Sequence, residues 1–395
     1  MKRNYQLAFL SAFLLWFAWP PIPFSSPILL IALVPILLAT ENIIGAQAKK
    51  KGKLIFRTAF LCFFAWNTAS IYWVFNSLDS AMPTWVAALI SLIPFGLGAV
   101  LMTFAFWLYY RLRLITSKVW SYAGLICFWI GYEYLHQSWD LAFPWMNLGN
   151  GFAATHQLVQ WYEYTGVYGG TLWVLLSNIL FFEIWQALKA GTLKMNKTRL
   201  ILPTIILVTL PVLISLFIYF THTEKSNPAN IVVVQPNIDP YKKFGSMPPS
   251  EQINRLIHLS DSVGQSNTEY FIWPETAISQ GTEEKTFRED ESFKTIQNFL
   301  NEYKNANLIS GIESFSIYDS AATVTARYNK NSGIYFDVFN AAVSIENSGT
   351  LQFYHKSKLV PGVEQTPFSK ALSFLKPAFA AFGGATGSYG KQDEP

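Results

Sequence analysis

The amino-acid sequence predicts a polytopic helical membrane domain of about seven spans over residues 1–222, followed by an incomplete α/β domain over 223–395. Three observations predict it. Hydrophobic residues make up 51% of the chain and charged ones only 14%, against about 25% charged in a typical soluble domain. The apolar residues gather before residue 220, in stretches near the length needed to cross a hydrocarbon core. From Asn230 onward the pattern changes to short β-branched runs alternating with segments of helical spacing. This balance excludes a disordered chain and an ordinary cytosolic enzyme.

The apolar stretches fall at roughly 5–19, 24–40, 54–76, 84–110, 117–136, 168–188 and 199–220. The first two are joined by Trp19-Pro20-Pro21-Ile22-Pro23, a tight turn. The first stretch follows Lys2 and Arg3 as a signal peptide would. Prolines rather than small residues come after it, so an uncleaved span is expected.

Charge orients the bundle. Residues 1–220 hold 14 Lys/Arg and 6 Asp/Glu, a net of +8, and residues 221–395 hold 15 and 19, a net of −4. The basic residues of the first half lie at 2–3, 49–57, 111–118 and 189–199, and the intervening loops 20–23, 77–83 and 137–167 have none. The positive-inside rule therefore places the N-terminus in the cytoplasm, and seven crossings place residue 221 onward outside. The positive excess belongs to the membrane half, so no nucleic-acid partner is implied.

Loop 137–167 is too polar to span and too aromatic to be a solvated linker. Its Trp139, Phe143, Trp145 and Trp161 suit either an interfacial aromatic belt or a re-entrant segment shaping a lipid-accessible cavity. Glu133, near the outer end of the fifth stretch, is an intramembrane acid. It reads equally as a functional group or as a hydrogen-bonded structural one.

In the second half, Ile231–Val234 reads as a strand ending at Gln235-Pro236-Asn237, and 249–264 as a helix. Tyr270–Trp273 is a strand closed by Pro274-Glu275-Thr276, and 288–304 a helix. Leu308–Ile312, Phe339–Ile345 and 350–356 complete the strands, the last two forming a hairpin around Asn347-Ser348-Gly349. Glu275, where a buried strand ends, suits a general base or a solvated turn residue. Lys356 suits an oxyanion-stabilising cation or an edge-strand lysine. Glu364 is a third polar candidate, on a loop.

Taken in order, Val233-Val234-Gln235-Pro236-Asn237-Ile238, Trp273-Pro274-Glu275-Thr276, Tyr354-His355-Lys356, Leu359-Val360-Pro361 and Glu364 resemble the nitrilase superfamily. With seven preceding spans and the Phe143-Pro144-Trp145 loop, the whole chain resembles its apolipoprotein N-acyltransferase family. The resemblance implies an αββα sandwich on the periplasmic side of the bacterial inner membrane. It implies transfer of a fatty acyl chain from a phospholipid, typically phosphatidylethanolamine, through a cysteine thioester. The acceptor is the α-amine of a lipoprotein's S-diacylglyceryl cysteine. Glu275 would be the general base, Lys356 the oxyanion-stabilising lysine and Glu364 the additional glutamate. Phe244, Trp145 and Glu133 are the expected substrate-binding residues, Phe244 standing where the family commonly has Trp.

The nucleophile departs from the family pattern. The two cysteines, Cys62 and Cys127, lie in apolar stretches well before the α/β domain, and form neither a disulfide framework nor a zinc site. The five histidines show no close pair at ligand spacing, so no metal is expected, nor is any cofactor. The expectation is an acyltransferase fragment that is inactive as it stands. The alternatives are a degenerate, non-catalytic protein that binds lipid or lipoprotein and, more weakly, a small-molecule transporter.

Overall fold

The computed structural model describes residues 1–47, 49–79, 82–224, 226–239, 243, 246–368 and 388–393, without the side chains of 194–197. The chain divides into two compact units, Met1–Glu224 and Lys225–Pro395.

The first unit is helical. Its elements are α1 (Lys2–Phe17), α2 (Ser26–Gly45, broken near Leu33), α3 (Lys51–Ser70), α4 (Trp73–Asp79), α5 (Thr84–Ile115), α6 (Lys118–Ser138), α7 (Tyr162–Lys189) and α8 (Leu193–Thr221). A helix occurs at each of the seven apolar stretches. Among the described residues α2, α5, α7 and the Thr198–Thr221 part of α8 are long and apolar enough to cross a membrane. The pair α3–α4, bent by 57°, makes a fifth if it acts as one span. Helix α1 has 16 residues, about 24 Å at 1.5 Å per residue, short of a core about 30 Å thick. Helix α6 carries Lys118, Glu133, His136 and Gln137 along its 21 residues. The structure thus supports four to five membrane-crossing helices.

The surface of these helices is apolar. Phe13, Ile93, Leu213 and Phe217 are more than half exposed, which inverts the soluble pattern and calls for lipid around the bundle. Polar side chains inside it repair the backbone. Asn178 of α7 sits at the break in α2, where its Oδ1 accepts from the Leu33 N–H at 2.7 Å and its Nδ2 donates to the Leu29 carbonyl at 2.8 Å. An amide thereby replaces a helical bond that no water could supply in lipid. Loop 139–161 is neither span nor open coil. It folds into 3-10 turns at Pro144–Met146 and Leu148–Leu158, and α7 then begins with a kink at Gly166 (φ +62) that favours glycine.

The second unit is α/β. Its strands are β1 (Asn230–Val233), β2 (Thr268–Ile272), β3 (Ile278–Glu283), β4 (Asn307–Tyr318), β5 (Arg327–Asn329), β6 (Ile334–Ile345) and β7 (Leu351–His355), and its helices are α9 (Pro249–Asp261) and α10 (Glu291–Leu300). Among the described residues these seven strands join one mixed sheet in the order β1-β2-β4-β6-β5, with β3 beside β4 and β7 beside β6. Strands β1, β2, β3 and β4 pair in parallel, whereas β4/β6 and β6/β7 are antiparallel. The long β4/β6 ladder runs from Leu308 opposite Ile345 to Tyr318 opposite Tyr335.

The helices follow their apolar stripes. Ile253 and Leu256 of α9, and Phe293, Ile296, Phe299 and Leu300 of α10, join Val232, Phe271, Leu308, Ile312, Val343 and Ile345 in one core. Asp290 caps α10 by accepting from the Ser292 N–H at 2.7 Å. Two strands go beyond the sequence reading. Strand β3 (Ile-Ser-Gln-Gly-Thr-Glu) is mostly polar, and β5 spans three residues. The mixed sheet with helices on it is established, and the αββα sandwich remains an expectation of the resemblance.

Candidate active site

The parallel strands set the location. Strand β1 ends at Gln235-Pro236-Asn237 and β2 at Pro274-Glu275-Thr276. Both loops line a cleft of about 640 Å³ at the carboxyl ends of these strands, where open α/β sheets usually bind ligands. Asn340 from β6, Glu313 from β4, Glu364 and Tyr389 line the same cleft.

Three sequence candidates converge here. Lys356 Nζ donates to Glu275 Oε1 at 3.2 Å and to Glu364 Oε1 at 2.9 Å. The backbone holds this lysine, since its N–H donates to the Asn340 carbonyl at 2.9 Å and extends the β6/β7 ladder by one step. The Asn340 side-chain amide donates from Nδ2 to both carboxylates, Glu275 Oε1 and Glu364 Oε1. One ammonium and one amide therefore separate two carboxylates that would otherwise repel.

The two glutamates differ in what remains free. Glu364 is 10% exposed, and its second oxygen, Oε2, accepts from the Val360 N–H at 2.7 Å. Glu275 is 64% exposed, and among the described residues only its Oε1 is engaged. Glu364 is thus an internal strut, and Glu275 is the carboxylate that can meet another molecule. The hydrogen bond from Asn340 holds the Glu275 carboxyl below the usual carboxylate range against partial burial, and Lys356 and Lys243 add to it. Burial opposes the charge of Lys356, but the bonds and charges of Glu364 and Glu275 outweigh it and hold the ammonium above the usual lysine range.

The elbow that carries Glu275 is tightly built. Thr276 lies at φ +49, a costly conformation for a β-branched residue. Lys243 Nζ donates to the Glu275 carbonyl at 2.8 Å and to Thr276 Oγ1. Partial burial lowers the Lys243 ammonium below the usual lysine range, opposed by the Glu275 charge. From the sheet side, the Gly311 N–H donates to the Pro274 carbonyl at 3.2 Å. A Cβ on Gly311 would lie 2.4 Å from the Thr276 nitrogen and 2.5 Å from the Glu275 Cα, so only glycine lets the elbow dock.

Sequence reading missed Asn340, Lys243 and Gly311. Asn340 sits unmarked within an apolar strand, and a lysine in a loop looks solvated. Gly311, a glycine inside a strand run, was the one available signal of close backbone approach.

The substrate-binding candidates fare differently. Phe244 lies outside the described residues. Trp145 is in the first unit, in the Pro144–Met146 turn, 59% exposed and edge-on to Trp73 at 5.5 Å. Glu133 is fully buried. Its Oε1 accepts from Trp129 Nε1 at 3.0 Å and the Leu148 N–H at 2.8 Å, and its Oε2 from Thr171 Oγ1 at 2.7 Å. Both oxygens of Glu133 are thus held by buried donors. Among the described residues no group of acids, His and Cys has the geometry to hold a metal.

The chain is similar in sequence to known proteins over most of its length. Residues 11–180 match the family model for the apolipoprotein N-acyltransferase N-terminal domain. The chain is 24% identical over 386 residues to the apolipoprotein N-acyltransferase of Chlorobaculum tepidum, covering 95% of this chain and 68% of that protein. It is 25% identical over 393 residues to that of Geobacter metallireducens, covering 97% and 68%. It is 26% identical over 342 residues to that of Rickettsia prowazekii, covering 84% and 61%. The chain therefore spans between three fifths and seven tenths of the length of these relatives. These matches make residues 11–180 similar to the N-terminal domain of apolipoprotein N-acyltransferases, and most of the chain similar to proteins of that name.

Proposed function

We propose that this chain carries the membrane domain and the Glu–Lys part of a nitrilase-like site for N-acylation of lipoproteins at the outer face of a bacterial inner membrane. The observation that carries the reading is the Glu275–Lys356–Glu364 cluster, with Glu275 still open, in a cleft at the ends of the parallel strands. The N-terminus is cytoplasmic, seven helices cross, and residues after about 221 are periplasmic, following the charge of the loops.

In this reading the donor is a phospholipid such as phosphatidylethanolamine. Glu275, held below the usual carboxylate range, is ionised at neutral pH and takes the proton of a thiol. The thiolate attacks the ester carbonyl, and Lys356 stabilises the oxyanion. The ester C–O bond then breaks, the lysophospholipid leaves with the proton, and a thioester remains. The α-amine of the diacylglyceryl cysteine attacks that thioester, the amide forms, and the thiol is regenerated. Glu364 fixes Lys356, while Trp145 and Phe244 contact lipid.

The reaction requires a thiol beside Glu275 and Lys356. Cys62 and Cys127, both in helices of the first unit, do not supply it, so this 395-residue chain alone is expected to be inactive. A fluorescent phospholipid is therefore expected to leave no hydroxylamine-sensitive label on it, and stable thioester labelling would refute the assignment. In a form extended to include the family's cysteine, labelling is expected and should be lost in Glu275→Gln and Lys356→Ala. Retained activity in either variant would overturn the roles given. A second reading is a non-catalytic protein that binds lipid or lipoprotein. Lipoprotein capture by the extended form without acyl transfer would support it.

A further inference from the structure

A second cleft, of about 520 Å³, lies in the first unit where α3 begins and α5 ends. It is lined by Lys50, Lys51 and Arg111 together with Trp107 and Tyr110. We propose that this cleft binds the phosphate headgroup of an anionic phospholipid.

The cations are uncompensated. Nearby basic residues have acidic partners: Arg113 pairs with Glu41 at 3.0 Å and Lys118 with Glu183 at 3.1 Å. Among the described residues Lys50, Lys51 and Arg111 have none within ion-pair distance. Three like charges around one depression raise the local potential and favour an anion. They are also held in place. The Arg111 guanidinium sits 5.2 Å from the centre of the Trp107 ring, Lys51 Nζ donates to the Ile44 carbonyl at 2.7 Å, and Lys50 caps α3 in the left-handed region at φ +61.

The rim decides between a lipid and a soluble phosphate. Leu114 is 51% and Ile115 79% exposed, and Phe128 completes an apolar wall. A basic pocket between helices with apolar walls at the membrane boundary suits a lipid whose headgroup meets the cations while its chains lie along the wall. A free phosphate would gain nothing from that wall. Gly52 leaves the floor open, since a Cβ there would already touch Tyr110 and Trp107 at 3.4 and 3.5 Å. With the orientation proposed above, the site faces the cytoplasmic leaflet.

The test titrates the detergent-solubilised full chain with phosphatidylglycerol or phosphatidylcholine and counts bound lipid by native mass spectrometry. Wild type is expected to bind phosphatidylglycerol at least tenfold more tightly than phosphatidylcholine. The double variant Lys50→Gln/Arg111→Gln should lose roughly twentyfold, at about fivefold per charge. Gly52→Leu, which fills the floor and removes no charge, should lose a comparable amount. Lys2→Gln/Arg3→Gln, with the same charge change elsewhere, should lose less than about threefold. Equal binding of the two lipids, equal losses in the two charge variants, or full binding by Gly52→Leu would overturn the site. Displacement of the lipid by an equal concentration of inorganic phosphate would overturn the choice of lipid.

Discussion

Gly311→Ala is the sharpest test of how the Glu275 elbow is held. The added Cβ would stand 2.4 Å from the Thr276 nitrogen, 2.5 Å from the Glu275 Cα and 2.6 Å from the Pro274 carbonyl oxygen. All three are backbone atoms, so no rotamer change relieves the clash. Ordinary contact begins at 3.4 Å, and the elbow must retreat from β4 by about 1 Å. That retreat stretches the Gly311–Pro274 hydrogen bond, now 3.2 Å, and draws Glu275 away from Lys356. Overpacking of this kind costs about 1–3 kcal/mol. With the weakened bonds we expect about 2–3 kcal/mol, or about 30- to 150-fold in the opening equilibrium. Hydrogen exchange of the detergent-solubilised chain reads this directly. Amides of 271–277 and 307–314 should exchange faster by that factor, while those of α5 and α7 stay unchanged. In a form containing the family's cysteine, a 1 Å displacement at the base should cost on the order of a hundredfold in acyl transfer. Unaltered exchange in 271–277 would refute the close approach on which the description of the site depends.

Three further outcomes follow from the same geometry. Asn340→Leu keeps the volume but leaves Glu275 and Glu364 sharing Lys356 alone. It should destabilise the second unit by about 1–3 kcal/mol and raise the Glu275 carboxyl, read by carbon-detected NMR titration; an unmoved titration would contradict the bridging role. The Glu275 and Glu284 carboxyls are both held below their ordinary value of 4.5, Glu275 first by Asn340, Glu284 by the His355 and Ser314 hydrogen bonds that outweigh its burial. A depressed carboxylate contributes stability that is present above its unfolded value and lost as pH falls through its folded one. Unfolding of the second unit should therefore become easier below about pH 4.5, with a shallower acid limb in Glu275→Gln; superimposable limbs would count against the shift. Glu133→Leu orphans three buried donors and should cost more than about 3 kcal/mol, whereas Glu133→Gln keeps an acceptor and should stay within about 1 kcal/mol. Thermal unfolding in detergent separates the two, and equal melting would show that the donors do not depend on the carboxylate.

Legibility in the sequence followed the physics of each part. Apolar stretches announced the long helices of the first unit, because hydropathy acts residue by residue along the chain. The count of spans is less legible, for a related reason. A stretch such as 5–19 is apolar without being long, and 117–136 is helical but carries Lys118 and Glu133. In the second unit the strands rich in β-branched residues, such as Ile231–Val233 and Leu308–Ile312, were visible, while polar β3 was not. Its place beside β4 is decided by pairing with Ile312–Phe315 rather than by its own composition.

The site divides along the same line. Glu275, Lys356 and Glu364 were readable because each stands at a strand end or a loop, where a charged residue after an apolar run is conspicuous. What brings them together is not in those residues. Asn340 is one polar position in the twelve-residue β6, and it reaches Glu275 and Glu364 because β6 runs antiparallel to β4 and carries β7 on its other edge. That pairing places the amide beside β2's end on one side and delivers Lys356 on the other. A carboxylate pair 89 residues apart in sequence can share one ammonium only once the sheet has formed. Assembly of the β4/β6/β7 ladder is therefore the step that creates the charged site, and damage to that ladder far from Glu275 should disturb the cluster as surely as a substitution within it.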